Sequence, residues 1–235
     1  MKFKDIETKC AICGWEGNLV DEIKDNDLSF DEQIQQNNFK FAHNFVEQCP
    51  KCMFVAKDIS KVEFKNTHEI MATDLFKEIA FQVRDEEEDP YGFLERTEFS
   101  KYVSYALVCD LNNELYKAAS FYWQASKLVH KAEIGYFCDE NNDHQSDNYL
   151  EIVAEKIRIR AAELEKRAIT LLKKLHEEDE TNIENFCNLF VCLSFFCKEE
   201  AEKLLPEAEK FVSDQSISPV IIDYLKLRIN SLKEL

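Results

Sequence analysis

The chain has 235 residues, and its 29 Lys plus Arg face 46 Asp plus Glu, for a net charge of -17 at pH 7. That balance argues against general nucleic-acid binding, which needs local cations for phosphate, and against docking on an anionic membrane. Hydrophobic residues at 45% can build a core, while only 4 Gly and 4 Pro disfavour turn-rich all-β architectures and favour helices.

Residues 1–64 read as one small unit that opens on Cys10-Ala-Ile-Cys13-Gly14-Trp15 and ends past Cys49-Pro50-Lys51-Cys52, with 35 residues between the pairs. Phe39, Phe41 and Phe45 partly alternate, like a strand entering the second pair. Residues 65–97 read as a linking helix and an acidic loop. Asn66 and Glu69 suit a capping box, Ile70, Met71, Leu75, Ile79, Ala80 and Val83 share one helical face, and Asp85–Asp89 with Pro90 and Gly92 stop the helix in solvent.

Residues 98–235 read as consecutive amphipathic helices. One stripe holds Phe99, Tyr102, Val103, Ala106 and Leu107, and the next holds Leu115, Ala118, Ala119, Tyr122, Ala125 and Val129. After a polar loop at 139–148 comes a long helix with Val153, Ile157, Ala161, Leu164, Ala168, Leu171 and Leu175 on one face, broken at 176–182. Residues 183–197 are apolar almost all round, which predicts burial between neighbours. Ala201, Leu204, Leu205, Ala208 and Phe211 form another stripe that Pro206 is expected to kink or split. Ser218-Pro219 suits the start of a last helix carrying Ile221, Tyr224, Leu225 and Leu232.

Stacked helical hairpins follow from that pattern. In the first pair, Tyr102, Tyr105 and Ala106 precede Ala118, Tyr122 and Ala125, the order of large and small residues in a tetratricopeptide repeat (TPR). The later segments match loosely, so the predicted fold is mainly α: a TPR-like helical-hairpin array with a small N-terminal four-cysteine zinc-ribbon (α+β) domain.

The two CxxC pairs carry the strongest chemistry. Two such knuckles supply four thiolates in tetrahedral geometry, with Gly14 giving the first turn left-handed freedom and Pro50 stiffening the second. A unit this small needs a cross-link beyond its own core. Zinc held by Cys10, Cys13, Cys49 and Cys52 is the expected cofactor. Iron is the alternative, because a CxxCG knuckle with an aromatic and a CPxC knuckle also look like a rubredoxin, although Met53 stands where that pattern has Gly. A redox dithiol would need a βαβ context that neither pair shows, and unliganded core cysteines would not explain the paired spacing. A filled four-thiolate shell leaves no place for water, so the site is structural.

The start MKFKDIETKC has no apolar signal region, and the richest apolar stretch, Phe186 to Cys197, is too short to span a bilayer, so a cytoplasmic protein is expected. Thiols stay reduced there, and nine cysteines fit a closed disulfide framework poorly. Cys109, Cys138, Cys187, Cys192 and Cys197 lie in apolar sequence and read as small core residues.

No P-loop, GxGxxG or GxSxG is present, and His68-Glu69 lacks the second His of a metalloprotease, since Ala72 stands there. His43, His130, His144 and His176 have no partner pattern. No enzymatic activity is expected. Residues 149–175 carry +3 in this acidic chain, with Lys156, Arg158, Arg160, Lys166, Arg167, Lys173 and Lys174 against Glu151, Glu155, Glu163 and Glu165. Pairing with neighbouring acidic helices explains this most simply, and a sharper reading sets Arg158 and Arg160 in a groove that selects an acidic peptide. Even residues 1–64 hold 8 Lys against 12 Asp plus Glu, which argues against a nucleic-acid-binding ribbon.

CxxCGW, CPKCMFVA and the segment YALVCDLNNELYKAASFYWQA together resemble an uncharacterised bacterial family that joins an N-terminal four-cysteine zinc ribbon to C-terminal TPR-like helices. That family pattern usually has Gly and an aromatic after the second knuckle. Met53-Phe54 keeps the aromatic and loses the Gly. The resemblance implies an architecture and no reaction. The expected function is a non-catalytic protein–protein interaction module, an adaptor or scaffold, with a protein or peptide partner. The alternative is a rubredoxin-like electron-transfer protein.

Overall fold

Two antiparallel hairpins, each turning through a CxxC knuckle, begin the structured chain. In the first, β1 (Lys2–Lys9) pairs with β2 (Glu16–Ile23), from Lys2 opposite Ile23 to Lys9 opposite Glu16. In the second, β3 (Glu47–Gln48) pairs with β4 (Val55–Ala56). The computed structural model describes residues 2–23, 46–80, 96–137, 147–214 and 217–234. The expectations for Phe39, Phe41, Phe45, His43, Val83, Asp85–Gly92, Cys138 and His144 lie outside the described residues, as do those for the side chains of Phe99, Val129, His130, Val153 and Ile157.

Eight helices follow among the described residues: α1 (Thr67–Ala72), α2 (Asp74–Ala80), α3 (Arg96–Leu111), α4 (Leu115–Phe137), α5 (Asp147–Glu178), α6 (Ile183–Phe196), α7 (Lys198–Val212) and α8 (Pro219–Glu234). The fold is mainly helical, with the small two-hairpin region at the cysteines. The chain divides into two compact units. The described residues up to Ala168 form the first, and those from Ile169 form the second.

In the first unit, the expected single linking helix is two. Thr73 separates α1 from α2 with extended backbone (φ -68°, ψ 148°). Its hydroxyl donates to the Ile70 carbonyl at 2.7 Å and accepts from the Phe76 N–H at 3.2 Å, so one side chain ends one helix and starts the next. The break shifts the helical phase. Ile70 and Phe76 are buried, whereas Leu75, expected on the apolar face, is 52% exposed. The Asn66 side chain makes no cap hydrogen bond, so the predicted capping box does not form. Thr67 instead donates to the Phe64 carbonyl at 2.6 Å.

Helices α3 and α4 form an antiparallel hairpin. Asn113 takes a left-handed conformation (φ 59°) that ends α3, and the Glu114 N–H bonds back to the Cys109 carbonyl at 2.9 Å. Ala106, Ala118, Ala119 and Ala125 are fully buried and let the two backbones approach. Phe121 packs between Tyr102, stacked at 5.8 Å, and Tyr105, edge-on at 4.7 Å. Asp110 of α3 accepts from Arg167 of α5, and the buried Ser126 of α4 donates to Glu165 of α5 at 2.6 Å.

In the second unit, α6 is the buried centre. Asn182 caps it by accepting from the N–H groups of Glu184 and Asn185. Phe186, Leu189, Phe190, Val191, Cys192 and Leu193 are all buried, as its all-round apolar sequence predicts. Phe211 of α7 lies 4.9 Å from Phe186, and Tyr224, Leu225 and Leu232 of α8 are buried as well. Helix α7 runs through Pro206 without splitting. The carbonyl that loses its partner there is that of Glu202, which is exposed and can bond water. Pro219 opens α8, as expected.

Candidate metal centre

The two knuckles are local copies of each other. In the first, the Cys10 N–H donates to the Trp15 carbonyl at 2.8 Å and the Gly14 N–H to the Cys10 carbonyl at 2.9 Å. In the second, the Cys49 N–H donates to the Phe54 carbonyl at 2.8 Å and the Met53 N–H to the Cys49 carbonyl at 2.9 Å. The residue after each second cysteine is left-handed: Gly14 at φ 68° and Met53 at φ 62°. Met53 therefore adopts the glycine conformation without being glycine, and the turn geometry survives the substitution.

This matched construction brings the sulfurs of Cys10, Cys13, Cys49 and Cys52 within 4.8 Å of one another. Cys10 and Cys52 meet at 3.7 Å, as do Cys13 and Cys49. An ion about 2.3 Å from each of four tetrahedral sulfurs requires edges of about 3.8 Å. A disulfide would require about 2.05 Å. The spacing fits an enclosed ion, and the four thiols are all free. No other group of three or more His, Cys, Asp or Glu among the described residues is placed to hold a metal.

Electrostatics point the same way. Burial pushes the Cys10 thiol up, against the N–H groups of Cys13 and Ile12 that face its sulfur. The Trp15 N–H holds the Cys13 thiol down at about 7. Burial pushes Cys52 well up, opposed first by the N–H of Phe54. A divalent cation at the centre supplies the charge that burial withholds, so all four can ligate as thiolates.

Around the sulfurs lies a small apolar cluster. Cys10, Cys49, Phe54, Ala56 and Ile59 are buried together, with Ile12, Trp15, Leu19 and Met71 packed against them. Met71 comes from α1, so the first helix closes one side of the lobe. Gly17 matters by close approach, since an added Cβ would lie 2.5 Å from the Trp15 indole.

Three further contacts hold the knuckles opposed, and sequence reasoning did not find them. The Ala11 N–H donates to the Ile59 carbonyl at 2.8 Å, which links the first knuckle to the segment after the second. The buried Glu47 accepts from the Ile59 N–H at 2.8 Å. Glu63 accepts from the Tyr105 hydroxyl at 2.6 Å and from Lys117 at 3.2 Å. Only Glu47 carried a signal, as an acid set in the apolar run before the second knuckle.

Arg158 and Arg160 lie far along the sequence, on α5. Arg158 is exposed and Arg160 half-buried, and each already takes part in an interaction within the chain. Arg167, Lys173 and Lys174 of the same basic segment pair with Asp110, Glu200 and Glu178. Of the remaining described cysteines, Cys109 and Cys192 are buried and Cys187 and Cys197 half-buried, all free. Burial pushes Cys109 and Cys187 up to about 12.

Compared with protein-family models, curated proteins and solved structures, the chain matches none. Its likeness to a ribbon-and-helices protein rests on the four clustered cysteines and the helical remainder. No helix among the described residues is long and apolar enough to cross a membrane.

Proposed function

We propose that this chain is a non-catalytic interaction module. A structural zinc ion held by Cys10, Cys13, Cys49 and Cys52 braces the N-terminal lobe, and TPR-like helical hairpins present a surface to a protein or peptide partner in the cytoplasm. The observation that carries the metal centre is the set of four sulfurs within 4.8 Å, with two cross-knuckle pairs at 3.7 Å. Four thiolates fill a tetrahedral shell, which suits a structural ion and leaves no position for a hydrolytic water. The small residues between α3 and α4 support the hairpin packing of a TPR-like pair. On α5, Ile159 is 52% exposed between Arg158 and Arg160, a chemistry that suits an apolar side chain flanked by carboxylates. Such a partner competes with the contacts these arginines already make.

Elemental analysis of the purified full chain tests the first half. One zinc per chain in a colourless protein, lost in Cys13→Ser and Cys52→Ser, is the expected result. One iron per chain in a red, reducible protein would replace the structural role with electron transfer. No stoichiometric metal would sink both. For the second half, a partner recovered with the wild type should be lost on joint Arg158→Glu and Arg160→Glu substitution. Retention of every partner would remove this face from consideration.

A further inference from the structure

We propose that the metal centre is redox-regulated, and that peroxide joins its sulfurs across the knuckles, Cys10 to Cys52 and Cys13 to Cys49, expelling the ion. The proposal rests on reading the four cysteines as a metal centre. Three observations carry it. The two pairs at 3.7 Å are disjoint, so both bonds can form in one molecule. Each pair joins a half-buried sulfur, Cys52 or Cys13, to a buried one, Cys10 or Cys49. The knuckles are also held face to face independently of an ion, by the Ala11 to Ile59 hydrogen bond and the apolar cluster.

That arrangement divides the chemistry between the two sulfurs of a pair. The accessible Cys13 thiolate attacks one oxygen of hydrogen peroxide. The O–O bond breaks, hydroxide leaves and a sulfenic acid forms. The buried Cys49 thiolate then attacks that sulfenic sulfur, the S–S bond forms, the S–O bond breaks and a second hydroxide leaves. Two thiolates and one peroxide become one disulfide and two hydroxides, with two electrons passing from sulfur to oxygen. Cys52 and Cys10 repeat the sequence with a second peroxide, and the divalent ion departs without ligands. Cross-knuckle bonds close loops of roughly 40 residues, whereas bonds within a knuckle close four, so the longer closures restrain the unfolded chain more. Oxidation thus exchanges a metal staple for a covalent one and keeps the two hairpins opposed.

Hydrogen peroxide applied to the zinc-loaded full chain tests this. Ion release is followed with a chromogenic chelator, thiol loss by alkylation and mass, and connectivity by tryptic mapping. One ion should leave for every four thiols lost from the centre. Peptide 10–24 should be joined to both peptide 41–51 and peptide 52–57, and fragmentation should assign Cys10 to Cys52 and Cys13 to Cys49. In Cys13→Ser, peptide 10–24 should link only to peptide 52–57. A Cys10–Cys13 bond with peptide 41–51 joined to peptide 52–57 would overturn the proposal. So would a retained ion while Cys187 and Cys197 are oxidised. Absence of any metal before peroxide is added would instead sink the metal-centre reading, and this proposal with it.

Discussion

The hydroxyl of Tyr105 donates to the Glu63 carboxylate at 2.6 Å, across 42 residues of sequence. Glu63 follows the metal lobe and Tyr105 lies in α3, so this bond ties the cysteine region to the first helical hairpin. Tyr105 is fully buried and edge-on to Phe121, which fixes its ring and aims its hydroxyl. Lys117 of α4 reaches the other carboxylate oxygen at 3.2 Å, so both helices of the hairpin grip one side chain. Tyr105→Phe keeps the ring and deletes the donor. It should cost about 1–2 kcal/mol, the scale of a hydrogen bond to a charged group. Denaturant titration checks it, and an unchanged midpoint would show that the bond contributes nothing net.

Alkaline pH should weaken the same region. Burial pushes Tyr105 and Tyr122 well above the ordinary tyrosine value, with Glu63 and Asp110 adding to the shift, and it pushes Cys109 up to about 12. The folded chain keeps these protons where the unfolded chain releases them. Their contribution is fully present below the ordinary values and is lost as pH rises from about 9 or 10 toward the folded values. The denaturation midpoint should fall progressively over that window. Tyr122→Phe combined with Cys109→Ala should flatten the slope, and an equal slope in that variant would reject the assignment.

The centre was legible because ligand chemistry is local. A CxxC pair fixes two sulfurs through one turn, and two pairs define a tetrahedron wherever the intervening residues go. Helical stripes were legible for the same reason, and Ala106, Ala118 and Ala125 are buried where the pattern put them. What was not legible depends on side chains bonding to backbone or to distant residues. Thr73 breaks a helix that periodicity carries straight through, because its hydroxyl competes for the Ile70 carbonyl. Pro206 leaves α7 unsplit because the carbonyl it orphans is at the surface. Glu63 carries no periodic or motif signal at all, since its meaning comes from Tyr105 and Lys117.

The left-handed positions of the knuckles predict opposite responses to substitution. Gly14 sits at φ 68° with nothing within 4 Å of an added Cβ, so Gly14→Ala meets no clash and pays only the conformational cost, about 1–2 kcal/mol. Met53 already bears that cost at φ 62°. Met53→Gly relieves it and loses about 0.5–1 kcal/mol through the more flexible unfolded chain, leaving a gain of up to about 1 kcal/mol. Chelator competition reads both: metal should be held less tightly in Gly14→Ala and as tightly or better in Met53→Gly. The reverse order would mean that the turn conformations do not limit the site.

Metal removal should act unevenly along the chain. A structural zinc contributes its binding free energy to folding, and the lobe has only a small apolar cluster of its own. Met71 packs against that cluster from α1, and Glu63 hands the connection on to α3 and α4. The core of α6, α7 and α8 is built separately, on Phe186, Phe190, Phe211 and Leu225. Chelation should therefore raise amide hydrogen exchange most in residues 2–23 and 46–72, less in α3 and α4, and least in α6 to α8. Exchange mapped by mass spectrometry before and after chelation measures the gradient. Uniform deprotection would make the centre a staple for the whole chain, and no change near the cysteines would show that the lobe holds its shape without an ion.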